Sequence, residues 1–251
     1  MKILLTNDDS HDSPLFLLAI EILQELGEVT IVVPAEEQSW KGKSMTRFGS
    51  LYVDHIDIHG YSAFSVTGTP ADCANLGIYN LMSERPDFVV SGINLGLNTG
   101  MGFVLSSGTI GACFEANIAG IPALALSQHM AREDFAQWHT ERSFSDESIE
   151  RHREMTKKIF PKVWKDYVLD KDHDPVTWNV NLPMALKGEE IVRTRLGRTF
   201  YQQCFSERGD QYFHNLTGFT IDQEPDTDQF IVQQGKVSIT RLDMADIGQN
   251  I

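Results

Sequence analysis

The chain opens with a strand–helix–strand pattern, and that pattern confines it to a narrow set of folds. Ile3-Leu4-Leu5-Thr6 is a short apolar run of the kind a buried strand needs. From Pro14 to Leu26, the residues Leu15, Leu18, Ala19, Ile22, Leu23 and Leu26 recur at helical spacing, and Gly27 stands where a helix stops. Residues 28–34 (Glu-Val-Thr-Ile-Val-Val-Pro) form a second run rich in β-branched residues. Two strands joined by one helix pair in parallel through a right-handed crossover. Parallel sheets carry helices on their faces, so the chain is read as α/β.

Later segments repeat the alternation. Residues 50–66 read as a hairpin or peripheral strands around Gly60. Thr69-Pro70-Ala71-Asp72 combines an N-cap, a proline at the first helical position and a first-turn acid, which predicts a helix to about residue 83. Asp87 to Ser91 is a third core strand, followed by a glycine- and asparagine-rich loop over 92–102. Ser106-Ser107-Gly108-Thr109 opens a helix to about Ala119, and Ile121 to Leu126 is another buried strand. The charged stretch 131–153 reads as loop leading into a helix that reaches Tyr167, with a solvated face accounting for the charges. Residues 170–175 read as a surface loop and 176–182 as a strand. Beyond residue 190 the pattern shifts to short β-like pieces at 191–195, 198–203, 229–232 and 237–239. The expected boundary therefore lies near 183–190, between an α/β domain over 1–185 and a β-rich C-terminal extension over 186–251.

Charge narrows the function. Lys and Arg total 21 against 35 Asp and Glu, a formal charge of −14. Such a chain lacks the cationic face that coats a nucleic-acid polymer or an anionic membrane. A nucleotide substrate stays open, because a metal can supply positive charge locally. Cys73, Cys113 and Cys204 lie far apart without a C-x-x-C pair, which argues against a zinc or redox motif and fits a reducing compartment. Residues 1–6 are too short for a signal-peptide apolar region, and no run reaches the roughly 18–20 apolar residues of a membrane span. The expectation is a cytoplasmic protein.

Chemistry gathers at the strand ends. Asn7-Asp8-Asp9 follows the first strand, Glu36-Glu37-Gln38-Ser39 the second, and Asn94 and Asn98 the third. In an open parallel sheet these loops meet on one edge, where ligands bind. Adjacent acids repel each other and are costly to bury without a cation or donor. Two carboxylates, a hydroxyl and an amide carbonyl make an oxygen shell suited to Mg²⁺ or Mn²⁺, with waters completing it. Alone, Asp8-Asp9 reads equally as an acidic turn or a helix N-cap; convergence of three loops favours the metal. Ser106-Ser107-Gly108-Thr109 then offers backbone N–H groups and hydroxyls at a helix N-terminus, which suits phosphate, although an ordinary serine N-cap explains the same residues. The glycines of 92–102 do not form a dinucleotide fingerprint, which belongs after the first strand, and neither a P-loop nor a G-x-S-x-G elbow is present. His11 beside Asp12 reads as an acid–base group or a surface histidine, and the remaining histidines lack metal-ligand spacing. Phe200, Tyr201, Tyr212 and Phe213 read as packing of the extension or as a surface that stacks on a base.

Taken together these residues resemble the SurE family of survival-protein nucleotidases. The likeness runs in order through Ile3 to Asp9, Val33-Pro34 with Ser39, Gly68 to Cys73, Pro86 to Asn94, Asn98, Ser107-Gly108-Thr109, Asn179 to Pro183, Arg195 to Arg198 and Val237 to Thr240. The resemblance implies a Rossmann-like three-layer sandwich with a mostly parallel sheet. It implies a metal-dependent hydrolase of nucleoside 5′- or 3′-monophosphates. One divalent cation, Mg²⁺ or Mn²⁺, would be held by Asp8, Asp9, Ser39 and Asn94. The phosphate would sit on Asn98, Ser107, Gly108 and Thr109, with Asp8, Asp9 and Asn98 acting in the hydrolysis. A C-terminal arm exchanged within a homodimer or homotetramer is also implied.

The chain departs from the family pattern around the expected pocket. Ser10 stands where glycine usually follows the acid pair, and a left-handed turn there is strained for serine. Asp12-Ser13-Pro14-Leu15 replaces His-Ala-Pro-Gly, and Trp40 replaces the glycine after Ser39. The 98–107 loop is one residue longer and carries Met101 and Gly102 in place of its acids. The expected reaction is attack by a metal-activated water without a covalent intermediate. Its rivals are a phosphatase for other phosphomonoesters or polyphosphate, a nucleotide-binding protein with weakened turnover, and a receiver-like domain, whose acceptor aspartate is here Asn94.

Overall fold

A computed structural model describes residues 1–169 and 174–247. The loop expected at 170–175 falls largely on residues 170–173, outside that range. The opening pattern forms β1 (Lys2–Thr6), α1 (Phe16–Gln24) and β2 (Glu28–Pro34). β3 (Val53–Ile58) and β4 (Tyr61–Val66) make an antiparallel hairpin turned by His59-Gly60, both at positive φ. α2 (Pro70–Leu76) begins at the predicted cap: Thr69 Oγ1 accepts from Asp72 N at 3.1 Å, and Asp72 Oδ2 accepts from Thr69 N at 2.9 Å. Its α-helical part is shorter than predicted and passes into a π-helical turn over Gly77–Leu81.

The middle of the chain gives β5 (Phe88–Leu95), α3 (Gly100–Ser106), α4 (Gly108–Ile118), β6 (Ala123–Gln128), α5 (Arg132–Glu141), α6 (Asp146–Val163) and β7 (Thr177–Leu182). Two differences stand out here. β5 runs on into the glycine-rich segment, and α3 forms inside it. The stretch expected to begin as loop holds the complete helix α5. The C-terminal part gives β8 (Ile191–Thr194), β9 (Phe200–Tyr201), β10 (Phe205–Arg208), β11 (Gln211–His214), β12 (Phe219–Thr220), α7 (Asp228–Gln233) and β13 (Val237–Leu242). Residues 229–232 are helical, where a strand was expected. A run that short cannot separate the two periods. The helix wins because Asp228 accepts from Gln229 N at 2.9 Å and Gly197 N at 3.0 Å, while Ile231 and Val232 turn inward.

Among the described residues nine strands form one sheet, in the order β3-β4-β2-β1-β5-β6-β7-β13-β8. Pairing is parallel from β4 through β7; β13 then pairs antiparallel with β7 and parallel with β8. Alternate residues bury on opposite faces, as a two-sided sheet requires. Ile3 and Leu5 pack toward α1 and α6, whereas Leu4 packs toward α2 and α4. Each of these three side chains is fully buried, and each contributes roughly 2 kcal/mol. The result is a three-layer α/β sandwich of Rossmann-like type. No described helix is long and apolar enough to cross a membrane.

The strand order reverses at β1, which has β2 on one side and β5 on the other. That switch point opens a crevice at the carboxyl ends of these strands, where α/β sheets bind ligands. The acid pair follows β1 and therefore lies in the crevice.

Candidate functional site

The first wall of the crevice is the turn after β1. Ser10 adopts φ +72°, the left-handed conformation expected at that position, at a cost of about 1 kcal/mol for a residue other than glycine. Two hydrogen bonds hold it: Asn7 Nδ2 donates to Ser10 O at 2.7 Å, and Ser10 Oγ donates to Ala35 O at 3.2 Å. The turn buries Asp8 and Asp9, which are 3% and 4% exposed. Thr109 Oγ1 donates to Asp8 Oδ1 at 2.6 Å, and Leu95 N donates to Asp9 Oδ2 at 2.9 Å. No ion pair among the described residues reaches either acid. Burial pushes the Asp8 carboxyl up to about 6, against the opposing hydrogen bond from Thr109. Burial, and then the charge of Asp8, push Asp9 well above the ordinary carboxylate range. A buried acid pair of this kind calls for an external cation.

The loops after β2 and β5 supply the neighbouring oxygens. Gln38 N donates to Asp8 O at 2.8 Å and ties the second loop to the first. Ser39 faces the cavity and donates to Glu37 Oε1 at 2.8 Å. Asn94 is half-buried, with its Nδ2 on Gly96 O at 3.0 Å. Asn98 is held from below by β6 and β7. Its N–H donates to Asn181 Oδ1 at 2.9 Å, its Nδ2 to Ser127 Oγ at 2.9 Å, and its carbonyl accepts from Asn179 Nδ2 at 2.8 Å.

α4 starts against the acid turn. Ser107 Oγ caps it by accepting from Ile110 N at 3.1 Å. A Cβ at Gly108 would lie 2.8 Å from Asp8 Cβ, so only glycine lets this helix begin so close to the acid. Asp8, Asp9, Ser39, Asn94, Asn98 and Ser107 together line one cavity of about 730 Å³. Gly108 and Thr109 stand behind Asp8 rather than among the lining residues. The hydroxyl of Thr109 is therefore engaged by the acid. Among the described residues no group of three or more His, Cys, Asp and Glu forms a metal cluster. Any cation here would rest on the two acids with neutral oxygens.

Two further walls were not anticipated. α5 contributes Phe135, Trp138 and His139 to the cavity, and the extension contributes His214, Asn215 and Leu216. Arg142, at the left-handed C-cap of α5, places its guanidinium 3.7 Å from the Trp138 ring centre and donates to Glu37 Oε2 at 2.8 Å. Burial pushes the Glu37 carboxyl up, but the hydrogen bonds from Arg142 and Ser39 together with the Arg142 charge hold it below its ordinary range. The signal for this wall was the helical spacing of positions 135, 138, 139 and 142 within the charged stretch. Nothing local in the sequence places residues 214–216 at the cavity. Trp40, like Ser10, keeps a glycine-type conformation, at φ +63°. His11 lies outside the lining, with its Nδ1 3.1 Å from Ser10 Oγ.

The family described as survival protein SurE matches residues 3–203. The chain is 35% identical to a protein of Methanocella arvoryzae named 5′-nucleotidase SurE, over 100% of this chain and 95% of the relative. It is 34% identical to the protein of the same name from Methanopyrus kandleri, over 96% and 91%. Its fold resembles the crystal structure of the SurE protein from Aquifex aeolicus with a TM-score of 0.72, at 30% identity and over 97% and 94% of the two chains. By descent and by fold, this chain belongs to the survival protein SurE family.

Proposed function

We propose that this protein hydrolyses nucleoside 5′-monophosphates, and 3′-monophosphates as a second class, to nucleoside and phosphate. The observation that carries the reading is the buried acid pair, reached by no ion pair among the described residues, in the same cavity as Ser39, Asn94, Asn98 and Ser107. Its full-length relatives named 5′-nucleotidase support the substrate class.

Asp8, Asp9, Ser39 and Asn94 would hold one divalent cation, and their hard oxygen donors suit Mg²⁺ or Mn²⁺. Such an ion supplies a Lewis acid and a water of lowered pKa. The chain's own groups do the rest. Thr109 and Leu95 fix the two carboxylates, and Asp8 or Asp9 orients the attacking water. Asn98 and the Ser107 hydroxyl balance charge on the phosphoryl oxygens, while Gly108 and Thr109, which stand behind Asp8, act by positioning that acid. The Ser10 and Trp40 departures keep the backbone that the acid turn and the second loop require, so the oxygen set is preserved.

The extension over 186–251 serves in this reading as an oligomerisation arm, rooted in the sheet by β8 and β13. Its exposed Phe200, Phe205, Tyr212, Phe213 and Phe219 form apolar surface of the kind a second copy covers. We therefore expect a cytoplasmic homodimer or homotetramer, and light scattering that finds only monomer removes this part.

The test of function is phosphate release from nucleoside monophosphates, p-nitrophenyl phosphate and polyphosphate, with Mg²⁺, Mn²⁺ or EDTA, beside Asp9→Asn. Metal-dependent release from the nucleotides, lost in EDTA and in the variant, is expected. Release from polyphosphate alone transfers the reading to that substrate, and an aspartyl-phosphate trapped by rapid quench refutes direct attack by water.

A further inference from the structure

The cavity has a second, aromatic wall that the hydrolytic chemistry does not use. Trp40 belongs to the loop after β2 and packs against the extension. Its ring centre lies 4.8 Å from that of His214, 5.0 Å from Tyr201 and 6.0 Å from Phe103, and all three contacts are edge-on. Phe103 comes from α3, so three segments distant in sequence meet on this one ring. Trp40, Phe103 and His214 line the cavity, and Trp40 keeps 39% of its surface exposed. The approach of α3 to the extension depends on Gly102, where a Cβ would lie 3.1 Å from Thr199 O and 3.3 Å from the Tyr201 ring. Trp40 also holds a left-handed backbone conformation that tryptophan disfavours. Strain of this kind persists where the surroundings over-determine it, and it concentrates at ligand sites.

We infer that Trp40, backed by Phe103, Tyr201 and His214, is the face on which the heterocyclic base of a nucleoside monophosphate stacks, so that this chain selects base-bearing phosphomonoesters over base-free ones. The inference rests on the phosphomonoesterase reading and deepens it. With a divalent cation on the acid pair the floor suits an anionic phosphate, and the aromatic wall suits a flat, uncharged base. Every base has a π-face, so stacking favours nucleotides as a class. A polyphosphate chain along the same wall would meet rings, with no Lys or Arg among the residues lining the cavity.

The experiment compares kcat/KM for AMP and for ribose 5-phosphate in the wild type, Trp40→Phe and Trp40→Gly. Glycine removes the ring while suiting the backbone at this position, so the variant is not expected to misfold. Base–aromatic stacking of the usual strength predicts that Trp40→Gly lowers the preference for AMP over ribose 5-phosphate by about 5- to 100-fold, and that Trp40→Phe retains most of it. A loss shared equally by both substrates overturns the inference. Absence of metal-dependent turnover of either substrate in the wild type would fail the phosphomonoesterase reading separately. Calorimetry with adenosine then decides the wall: binding lost in Trp40→Gly supports it, and no binding to the wild type overturns it.

Discussion

Replacing Asp8 by Asn should stabilise the metal-free protein while disabling it. Asp8 is 3% exposed, and burial raises its pKa from an ordinary 3.8 to about 6. A shift of roughly 2 units is about 3 kcal/mol of penalty on the ionised form. Asparagine removes the charge and keeps a carbonyl for the Thr109 hydroxyl. It also adds an amide donor, and leaving that unpaired costs about 1 kcal/mol. The net gain is about 2 kcal/mol, which for a chain of this length raises Tm by about 4–8 °C. The pH dependence follows from the sign of the shift. The folded pKa lies above the unfolded one, so the stability contributed by this carboxyl is complete below about pH 4 and is lost as pH rises through about 6. Calorimetry in EDTA from about pH 4 to 7.5 should therefore show the Asp8→Asn advantage growing with pH. Mn²⁺ should raise the Tm of the wild type and leave the variant unmoved. A variant less stable than wild type near pH 7.5, or an advantage independent of pH, refutes the argument.

Other perturbations test neighbouring parts of the account. Asn181→Ala strips the acceptor from the buried Asn98 N–H; it should cost about 1–3 kcal/mol in urea unfolding and weaken inhibition by inorganic phosphate about 10-fold. Gly108→Ala forces a Cβ to within 2.8 Å of Asp8 Cβ, an overpacking of about 1–3 kcal/mol, and calorimetry should find Mn²⁺ affinity reduced about 10-fold or more. Arg142→Ala should leave stability within about 1 kcal/mol, since its ion pairs are half-exposed, yet speed hydrogen exchange across α5. His152 is 1% exposed, its Nε2 lies 3.6 Å from Asp134 Oδ2, beyond hydrogen-bond reach, and burial with the charge of Arg151 lowers its pKa against that carboxylate. Its folded pKa lies below the unfolded one, so stability falls as pH drops below about 6.5, and His152→Leu should flatten that slope.

The order of the first strands and their ligand edge was legible because the helical period of α1 lies between two apolar runs of strand length, β1 and β2. The three loops after β1, β2 and β5 could be brought together from topology alone, and the cavity lining contains Asp8, Asp9, Ser39, Asn94 and Asn98. The cap at Thr69 was legible for a different reason: its hydrogen bonds are local. What stayed hidden is what long-range packing decides. The return of β13 beside β7 pairs Ser238 with Asn181 across a long stretch of chain, and no local period encodes that partner. The aromatic wall is similar, since Trp40 meets Tyr201 and His214 only after the extension folds back. The charges around α5 concealed Trp138, a buried ring in a segment whose average composition is polar. Residues 229–232 failed as a strand because the Asp228 carboxylate that starts the helix is held by Gly197 N at 3.0 Å and Gly100 N at 2.7 Å, partners far away in sequence.

The most direct test of the account is where a cation goes. Crystals grown with Mn²⁺ and measured at its absorption edge locate the ion without reference to activity. The account predicts one anomalous peak at about 2.0–2.2 Å from oxygens of Asp8 and Asp9, with Asn94 and Ser39 or their waters completing the shell. A peak elsewhere in the cavity, or none at an Mn²⁺ concentration that supports turnover, would contradict it.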